Sequence, residues 1–214
     1  PTVKESVEQV KQDFNTLKNL LKKKVDKEKD KKEVEQISEK IENETDTNGL
    51  TLDETVVQKI VNKIQQDNKG EKTEITEVAE SVTVSVQFDW GSSFTEFSKL
   101  KSRHFFGDLG NDGNEDAIIQ ANAYSGGNSE HLILYVLSKI SDDWQLLFDV
   151  NASDERLRGC DKGRFYPKKI ENGFLIGESL CFKDSDARCC PSLKFLTTVK
   201  LESDRLISIK KEKK

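Results

Sequence analysis

The stretch Val82-Thr-Val-Ser-Val-Gln-Phe88 alternates apolar and polar side chains without interruption. A period of two residues places the valines and the phenylalanine on one face of an extended strand, and β-branched valine favours that conformation. The polar residues between them then face the other way. We therefore predict a half-buried strand here, at the beginning of a β domain.

The sequence after residue 88 predicts further strands of the same kind, separated by turn residues. The predicted strands are Ala117–Tyr124, Leu132–Ser138, Trp144–Val150, Gly163–Ile170, Phe174–Phe182, Leu193–Leu201 and Leu206–Lys210. The predicted turns are Ser125–Asn128, Ser141–Asp143, Asn172–Gly173 and Glu202–Asp204. Phe94–Leu100 is predicted as a short helical turn. Short strands joined in order by tight turns predict an antiparallel meander, folded as a sandwich, an open barrel or a curled sheet.

The composition changes sharply near residue 80. Residues 1–80 contain only Phe14 of the 16 aromatic residues and none of the six arginines or four cysteines. Their 15 lysines face 19 acidic residues, whereas residues 81–214 carry 19 basic and 20 acidic side chains. We therefore expect a charged helical stalk or helical hairpin over 1–80, partly flexible, and a β-rich globular domain over 81–214. The expected class is mainly β, and α+β for the whole chain.

Two helices are predicted in the front segment. Apolar residues at three- and four-residue steps from Val3 to Leu21 form one stripe. The run Lys22–Lys32 is nearly all charged, which fits a solvated helix or a flexible tether. A turn-rich break follows at 43–49, and Thr51-Leu-Asp-Glu54 is a capping-box pattern. The second stripe consists of Leu52, Val56, Ile60 and Ile64.

The charge and hydropathy of the chain limit the kinds of partner that it is expected to bind. Neither half has the basic excess that nucleic-acid binding requires, and no stretch approaches the roughly 20 apolar residues of a membrane span. The chain contains no methionine, so we expect a processed chain whose targeting peptide is gone. Contact with a membrane is then expected only through a removed lipid anchor. A partner protein or self-association through residues 1–66 is a further interpretation.

Four cysteines, Cys160, Cys181, Cys189 and Cys190, lie within one 31-residue window. Their spacing matches no common zinc pattern, so we expect two disulfides. Adjacent cysteines rarely bond to each other. Without that pair, either Cys160 bonds Cys189 and Cys181 bonds Cys190, or the partners are exchanged. Disulfides indicate the periplasm or the cell surface; the alternative is buried free thiols in a cytosolic protein.

The loop Asp108-Leu-Gly-Asn-Asp112-Gly-Asn-Glu-Asp116 places a carboxylate at every fourth position and contains two glycines. Carboxylates this close repel one another unless a cation lies between them, and hard divalent cations favour oxygen-rich loops with a glycine at a sharp turn. The pattern therefore predicts a bound ion. The alternative is an empty polar turn held by hydrogen bonds from aspartate and asparagine side chains to the backbone.

The segment Phe106–Ile119 resembles the cation loop of FG-GAP repeats, the blade units of integrin-type propellers. The resemblance implies a Ca²⁺ ion held by the side chains of Asp108, Asp112 and Asp116 at loop positions 1, 5 and 9, and by the backbone carbonyl of Asn114 at position 7. Position 3, usually aspartate or asparagine, is Gly110. Water or Asn111 is then expected to replace the missing ligand.

The acidic loop, the meander and the segment Asp186-Ala-Arg-Cys-Cys-Pro-Ser192 together resemble the LppP/LprE type of bacterial exported lipoprotein. The resemblance covers approximately residues 82–210. It implies export and lipid anchoring, and it implies no reaction. Residues 1–80 lie outside it, and they would hold an anchored domain away from a membrane surface.

Catalytic motifs are weak in this chain. No serine lies in a Gly-x-Ser-x-Gly elbow, and His104 and His131 are expected as ordinary strand residues. Four aromatic residues are expected in the core or at its rim rather than in a sugar-binding platform: Trp90, Phe94, Phe97 and Trp144. The sequence therefore favours a non-enzymatic binding or envelope-scaffold module. Two alternatives are an exported metal-dependent hydrolase, which needs a nitrogen ligand or an open cleft beside the acidic loop, and an assembly protein acting through the N-terminal helices.

Overall fold

Two antiparallel sheets and one long helix form the part of the chain that the computed structural model describes, which is residues 51–125, 130–187 and 189–214. The helices are α1 (Glu54–Asp67), a 3₁₀ turn (Lys101–Arg103) and the short α2 (Glu155–Arg158). The strands are β1 (Lys72–Glu77), β2 (Ser81–Phe88), β3 (Gly91–Ser98), β4 (Phe105–Gly107), β5 (Asp116–Tyr124), β6 (Glu130–Ile140), β7 (Asp143–Asn151), β8 (Gly163–Glu171), β9 (Phe174–Cys181), β10 (Leu193–Glu202) and β11 (Arg205–Lys213).

The strand order is that of a meander. The larger sheet has the order β1-β2-β3-β5-β6-β7, with β4 also paired to β5, and the smaller sheet has the order β11-β10-β9-β8. Every one of these pairs is antiparallel. The predicted class, mainly β with a helical segment, is confirmed, and of the three expected forms the chain adopts a sandwich.

The hairpin turns contain residues that have positive φ. Asn172 and Gly173 have φ values of 52° and 79°, which is the pattern of a type I′ turn. Ser141 and Asp142 have φ values of 52° and 66° and connect β6 to β7 in the same way. These turns lie where the sequence predicts them. The predicted turn Ser125–Asn128 falls mostly outside the described residues.

The core has two layers, one on each face of the larger sheet. Side chains alternate along β5, so that Ile119 belongs to one apolar cluster and Ile118 to the other. The cluster of Ile119 is covered by α1, through Val56, Ile60 and other residues of its stripe. The cluster of Ile118 is closed by the smaller sheet. The layers are therefore helix, seven-stranded sheet and four-stranded sheet.

Helix α1 belongs to this packed unit. Five of its side chains are buried: Val56, Val57, Ile60, Val61 and Ile64. The compact unit spans Gly49–Lys214, so the change in composition near residue 80 does not mark its beginning. A stripe of this kind is equally suited to a partner helix and to a sheet, and here it covers the sheet. The predicted helix over 3–21, the charged run and most of the proposed interaction segment lie outside the described residues.

The start of α1 also differs in detail from the capping-box prediction. The N-cap is Asp53, whose carboxylate accepts the backbone N–H of Thr55 at 2.8 Å. Thr51, the expected cap, instead forms an isolated bridge with Leu100. Thr51 therefore lies two residues before the N-cap and pairs with the segment that follows β3.

Three strands of the larger sheet, β1, β3 and β4, are not among the predicted strands. The interpretation of Phe94–Leu100 as a helical turn is wrong, because β3 pairs with β2 over its whole length and Phe97, opposite Val82, is buried. Pairing with β2 stabilises this segment as a strand more than its local preference stabilises a helix. Strand β1, with sequence KTEITE, has little apolar alternation because it is an exposed edge strand.

The disulfides follow the register of the smaller sheet. Cys181 pairs in register with Gly163 of β8, so Cys160, three residues earlier, lies close enough to bond it, with 6.3 Å between the Cα atoms. The remaining bond joins the neighbours Cys189 and Cys190, and none of the four cysteines is free. Both predicted connectivities are wrong, because the β8–β9 register places Cys160 beside Cys181 and leaves the adjacent pair to bond each other. The free-thiol alternative is also wrong.

A substitution in α1 tests whether the helix belongs to the domain. Ile60 is fully buried, so we expect Ile60→Ala to lower the free energy of unfolding by about 2–5 kcal/mol. The matched control is Gln58→Ala on the exposed face of the same helix, expected to change it by no more than about 0.5 kcal/mol. Urea unfolding measures both. Equal, small effects would mean that α1 is not packed on the sheet.

Candidate metal site

The acidic loop joins two paired strand ends. Gly107 of β4 lies opposite Asp116 of β5, so the residues between them form a closed loop on the edge of the larger sheet. Leu109 fills the gap beneath the loop and is buried in the cluster between the two sheets. Pairing at its base and an apolar anchor at its second residue therefore fix the position of the loop.

Three carboxylates converge in this loop. One oxygen from each of Asp108, Asp112 and Asp116 lies within 4.8 Å of the others. Asp116 is buried, Asp108 is half-buried and Asp112 is exposed. Two negative charges at such a distance repel by about 3 kcal/mol in a medium of effective dielectric 20. Within the described residues, none of the three forms an ion pair with a basic side chain. The cluster thus has the charge and donor type of a divalent cation site.

Backbone N–H groups of the loop hold two of the carboxylates in place. Asp108 accepts from Asp112 at 3.0 Å and from Gly113 at 3.1 Å, one bond to each oxygen. Asp112 accepts from the N–H of Asn114 at 2.9 Å. These are the bonds expected of a polar turn, and they also orient the oxygens toward one another. The predicted role of the Asn114 carbonyl as a ligand stays a prediction.

Asp116 is the buried member of the cluster. It accepts a 2.6 Å hydrogen bond from the backbone N–H of Leu109 and another from the hydroxyl of Ser138, its register partner on β6. Burial raises the pKa of the Asp116 carboxyl above its usual value, and the charges of Asp112 and Asp108 add to this, against the two hydrogen bonds. The role of Ser138 was not predicted from the sequence, because it depends on the register of the β5–β6 pair.

The backbone at the third loop position, Gly110, explains why a side-chain ligand is missing there. Gly110 has a φ of 121°, a conformation that side chains disfavour, and its N–H donates to the carbonyl of Gly173 at 3.1 Å. The Asn111 amide donates to the carbonyl of Asn172 at 3.3 Å. The loop is therefore docked on the turn between β8 and β9. The backbone conformation of Gly110 disfavours aspartate at position 3, and the side-chain amide of Asn111 donates to the turn.

The two histidines lie away from the carboxylate cluster. His104 is buried, with Nε2 2.7 Å from the carbonyl of Ser98, while Nδ1 accepts the N–H of Gln120 at 3.1 Å. His131 is exposed on β6. Both ring nitrogens of His104 thus have structural partners, and burial lowers the pKa of its imidazole, against the bond to Ser98. His104 is a structural residue of the β3–β5 side of the sheet.

The hydrolase alternative can be compared with the described residues around the loop. A cavity of about 180 Å³ lies between β7, α2 and the β10–β11 turn, and no residue of the acidic loop lines it. The carboxylate cluster includes no histidine from the described residues. The hydrolase alternative, which requires a nitrogen ligand or an open cleft here, stays a prediction.

The aromatic side chains divide between core and surface. Trp144 and Phe97 are buried as expected. Trp90, however, is 67% exposed and stacks on Phe88 with ring centroids 4.8 Å apart. Phe94 stacks on Tyr124 at 4.5 Å on the outer side of β3. These two pairs are surface features of the larger sheet.

Comparison with known proteins found no matching family model, no similar curated protein and no similar solved structure. The resemblance to FG-GAP loops and to the LppP/LprE type of lipoprotein therefore stays a prediction. Within the described residues, no helix has both the length and the hydropathy needed to cross a membrane.

The burial of His104 makes the free energy of unfolding depend on pH. Its pKa is depressed in the folded state, so the unfolded chain takes up a proton first as the pH falls below about 6.5. We expect the free energy of unfolding to decrease between about pH 7 and pH 5.5, by no more than about 1.4 kcal/mol per pH unit. His104→Gln should lose this component, whereas the exposed control His131→Gln should keep it. Parallel curves for wild type and His104→Gln would contradict the assignment.

A pair of glycine substitutions tests the docking of the loop. Gly173 and Gly70 both have positive φ, but a Cβ at Gly173 would lie 2.3 Å from the Asn111 amide nitrogen, whereas one at Gly70 would meet no atom within 4 Å. Gly173→Ala should therefore displace Asn111 and cost about 1 kcal/mol more than Gly70→Ala, the loss of one hydrogen bond. Chemical denaturation measures the difference. Equal losses would show that the contact does not stabilise the fold.

Proposed function

We propose that this chain is an extracytoplasmic, non-enzymatic module whose loop Asp108–Asp116 binds a structural Ca²⁺ ion. The observation that carries the proposal is the convergence of three carboxylates within 4.8 Å without a basic partner in the described part of the chain. Such an arrangement is unfavourable by itself, and a bound cation converts the repulsion into attraction. The loop is held in this form by the sheet beneath it and by the docked turn.

The chemistry of the donors favours calcium among the common ions. The side-chain donors are carboxylate oxygens, and hard cations prefer them, whereas zinc and copper sites use histidine or cysteine. Magnesium requires a compact octahedral set of ligands, whereas calcium accepts more ligands in flexible geometry and completes its shell with carbonyls and water. With glycine at the third position, water is the expected substitute there.

The proposed ion has a structural role because of where the loop lies. Asp116 is the first residue of β5, which pairs with β3, β4 and β6. Gly110 of the same loop bonds the turn of the smaller sheet. An ion joining Asp108, Asp112 and Asp116 would therefore stiffen the connection between the two sheets. This is the expected behaviour of a binding or scaffold module that must keep its shape outside the cell.

The disulfides support the proposed compartment. Cys160–Cys181 closes a loop of 21 residues in the smaller sheet, and such bonds persist in oxidising surroundings. This supports a location in the periplasm or at the cell surface, and the resemblance given above supports attachment through a lipid. A partner that acts through residues 1–66 would use mainly the segment before α1, since the apolar stripe of α1 is buried.

A thermal melt with and without Ca²⁺ tests the ion. Binding to the folded state alone should raise its stability by about 2.7 kcal/mol at a hundred times the dissociation constant, and thus raise the Tm. Asp108→Asn/Asp112→Asn should lose the calcium-dependent shift, since it removes two of the three charges. Without Ca²⁺ the relief of repulsion is opposed by the loss of one acceptor at position 108, where each carboxylate oxygen accepts a backbone N–H, so no large net change in stability is expected.

The matched control is Asp142→Asn, which alters a fully exposed carboxylate in the β6–β7 turn and should keep the full shift. A chelator should reverse the shift in wild type and control. A Tm that does not change at millimolar Ca²⁺ would contradict the proposal, as would an equal shift in the double variant.

A further inference from the structure

The bond between Cys189 and Cys190 differs from the other disulfide in what it can do for the fold. It joins residues one position apart, so it closes no segment of chain and restricts the unfolded state very little. Cys160–Cys181 spans 21 positions and ties α2 and the start of β8 to the end of β9. Cys160–Cys181 therefore has a clear stabilising role, whereas Cys189–Cys190 has none of this kind.

The segment that carries Cys189 and Cys190 is shaped by other contacts. Asp186 accepts the backbone N–H of Lys183 at 2.8 Å and that of Ser192 at 2.9 Å, one on each side of the cysteines. Cys190 donates its N–H to Ala187 at 2.9 Å. These bonds lower the pKa of Asp186, so the carboxylate stays charged in neutral solution. Opening the sulfur bond would leave this frame in place.

The exposure of the cysteine residues also separates the two bonds. Cys189 and Cys190 are both exposed, whereas Cys160 is half-buried and Cys181 is 1% exposed. Thiol–disulfide exchange requires in-line approach of a thiolate to a sulfur atom, so exposure decides which bond reacts first. All four cysteines lie at one end of the smaller sheet, because Cys160 and Cys190 each precede by three residues a register partner of Cys181.

We propose that Cys189–Cys190 is a thiol-exchange site that accepts two electrons from an external dithiol while the domain stays folded. A thiolate of the dithiol attacks one cysteine sulfur, the S–S bond breaks, and its electron pair leaves on the other cysteine as a thiolate. The second thiol of the reagent then attacks the mixed disulfide and releases the first cysteine. The products are two cysteine thiols, once protonated, and a disulfide in the reagent. The acidic loop takes no part in this.

The test is a titration of the oxidised full chain with dithiothreitol in native buffer, followed by acid quenching, alkylation and mass spectrometry of the peptides. We expect half-reduction of Cys189–Cys190 at a dithiol concentration about tenfold or more below that for Cys160–Cys181. The far-ultraviolet circular dichroism should stay unchanged over the first step. Re-oxidation should restore the same pair.

Two variants make the result specific. Cys160→Ala/Cys181→Ala should keep the low-concentration step, and Cys189→Ala/Cys190→Ala should lose it while keeping the fold. If the first variant does not fold, the wild-type titration alone decides. Simultaneous reduction of both bonds, earlier reduction of Cys160–Cys181, loss of dichroism in the first step, or peptides showing any other pairing in the oxidised chain would each overturn the proposal.

Discussion

The burial of β5 on both faces is the constraint on which the rest of the structure depends. Ile118 and Ile119 point in opposite directions and neither is exposed. A strand that is apolar on both sides cannot face water on either, so each face needs a cover. Helix α1 supplies one and the smaller sheet supplies the other. The domain must therefore include residues of the front segment as well as the C-terminal hairpins.

The smaller sheet is fastened at both of its ends, by two kinds of chemistry. At the turn between β8 and β9, Gly110 and Asn111 of the acidic loop bond the backbone of Asn172 and Gly173. At the other end of the same strands, Cys181 carries the cross-link to Cys160. The hydrogen-bonded end is held by the backbone and an amide of the acidic loop, and the sulfur end is held by a covalent bond that reduction can break. The two ends are thus held by interactions of different strength and different chemistry.

Much of this fold follows from local patterns, and the exceptions have physical causes. Alternation along Val82–Phe88 and the positive φ of Asn172 identify strands and turns without any knowledge of distant residues. Strand β3 was missed because its pairing with β2 outweighs a helical pattern. The boundary near residue 80 was misplaced because the stripe of α1 does not reveal which surface it covers. Tertiary partners, which the local sequence does not specify, decide both.

Part of the candidate site was also predictable from the sequence, and part of it was not. Asp108, Asp112 and Asp116 are adjacent along one loop, so their convergence was predictable from spacing. The hydroxyl of Ser138 and the docked turn at Gly173 enter only through strand register and the packing of one sheet on the other. The disulfide pairing had the same origin, since Cys160 reaches Cys181 through the β8–β9 register. Chemistry within a loop is therefore readable from the sequence, whereas contacts between elements require the fold.

The exposed border strands have a consequence for colloidal behaviour. β1 and β11 are two of the four border strands, with β7 and β8, and they present unpaired backbone groups, the usual template for edge-to-edge polymerisation. Their side chains are rich in charge, from Lys72 and Glu74 on one border to Lys210, Lys211 and Lys213 on the other. An incoming strand would have to desolvate these groups before pairing. The charges along β1 and β11 therefore oppose edge-to-edge pairing at these two borders.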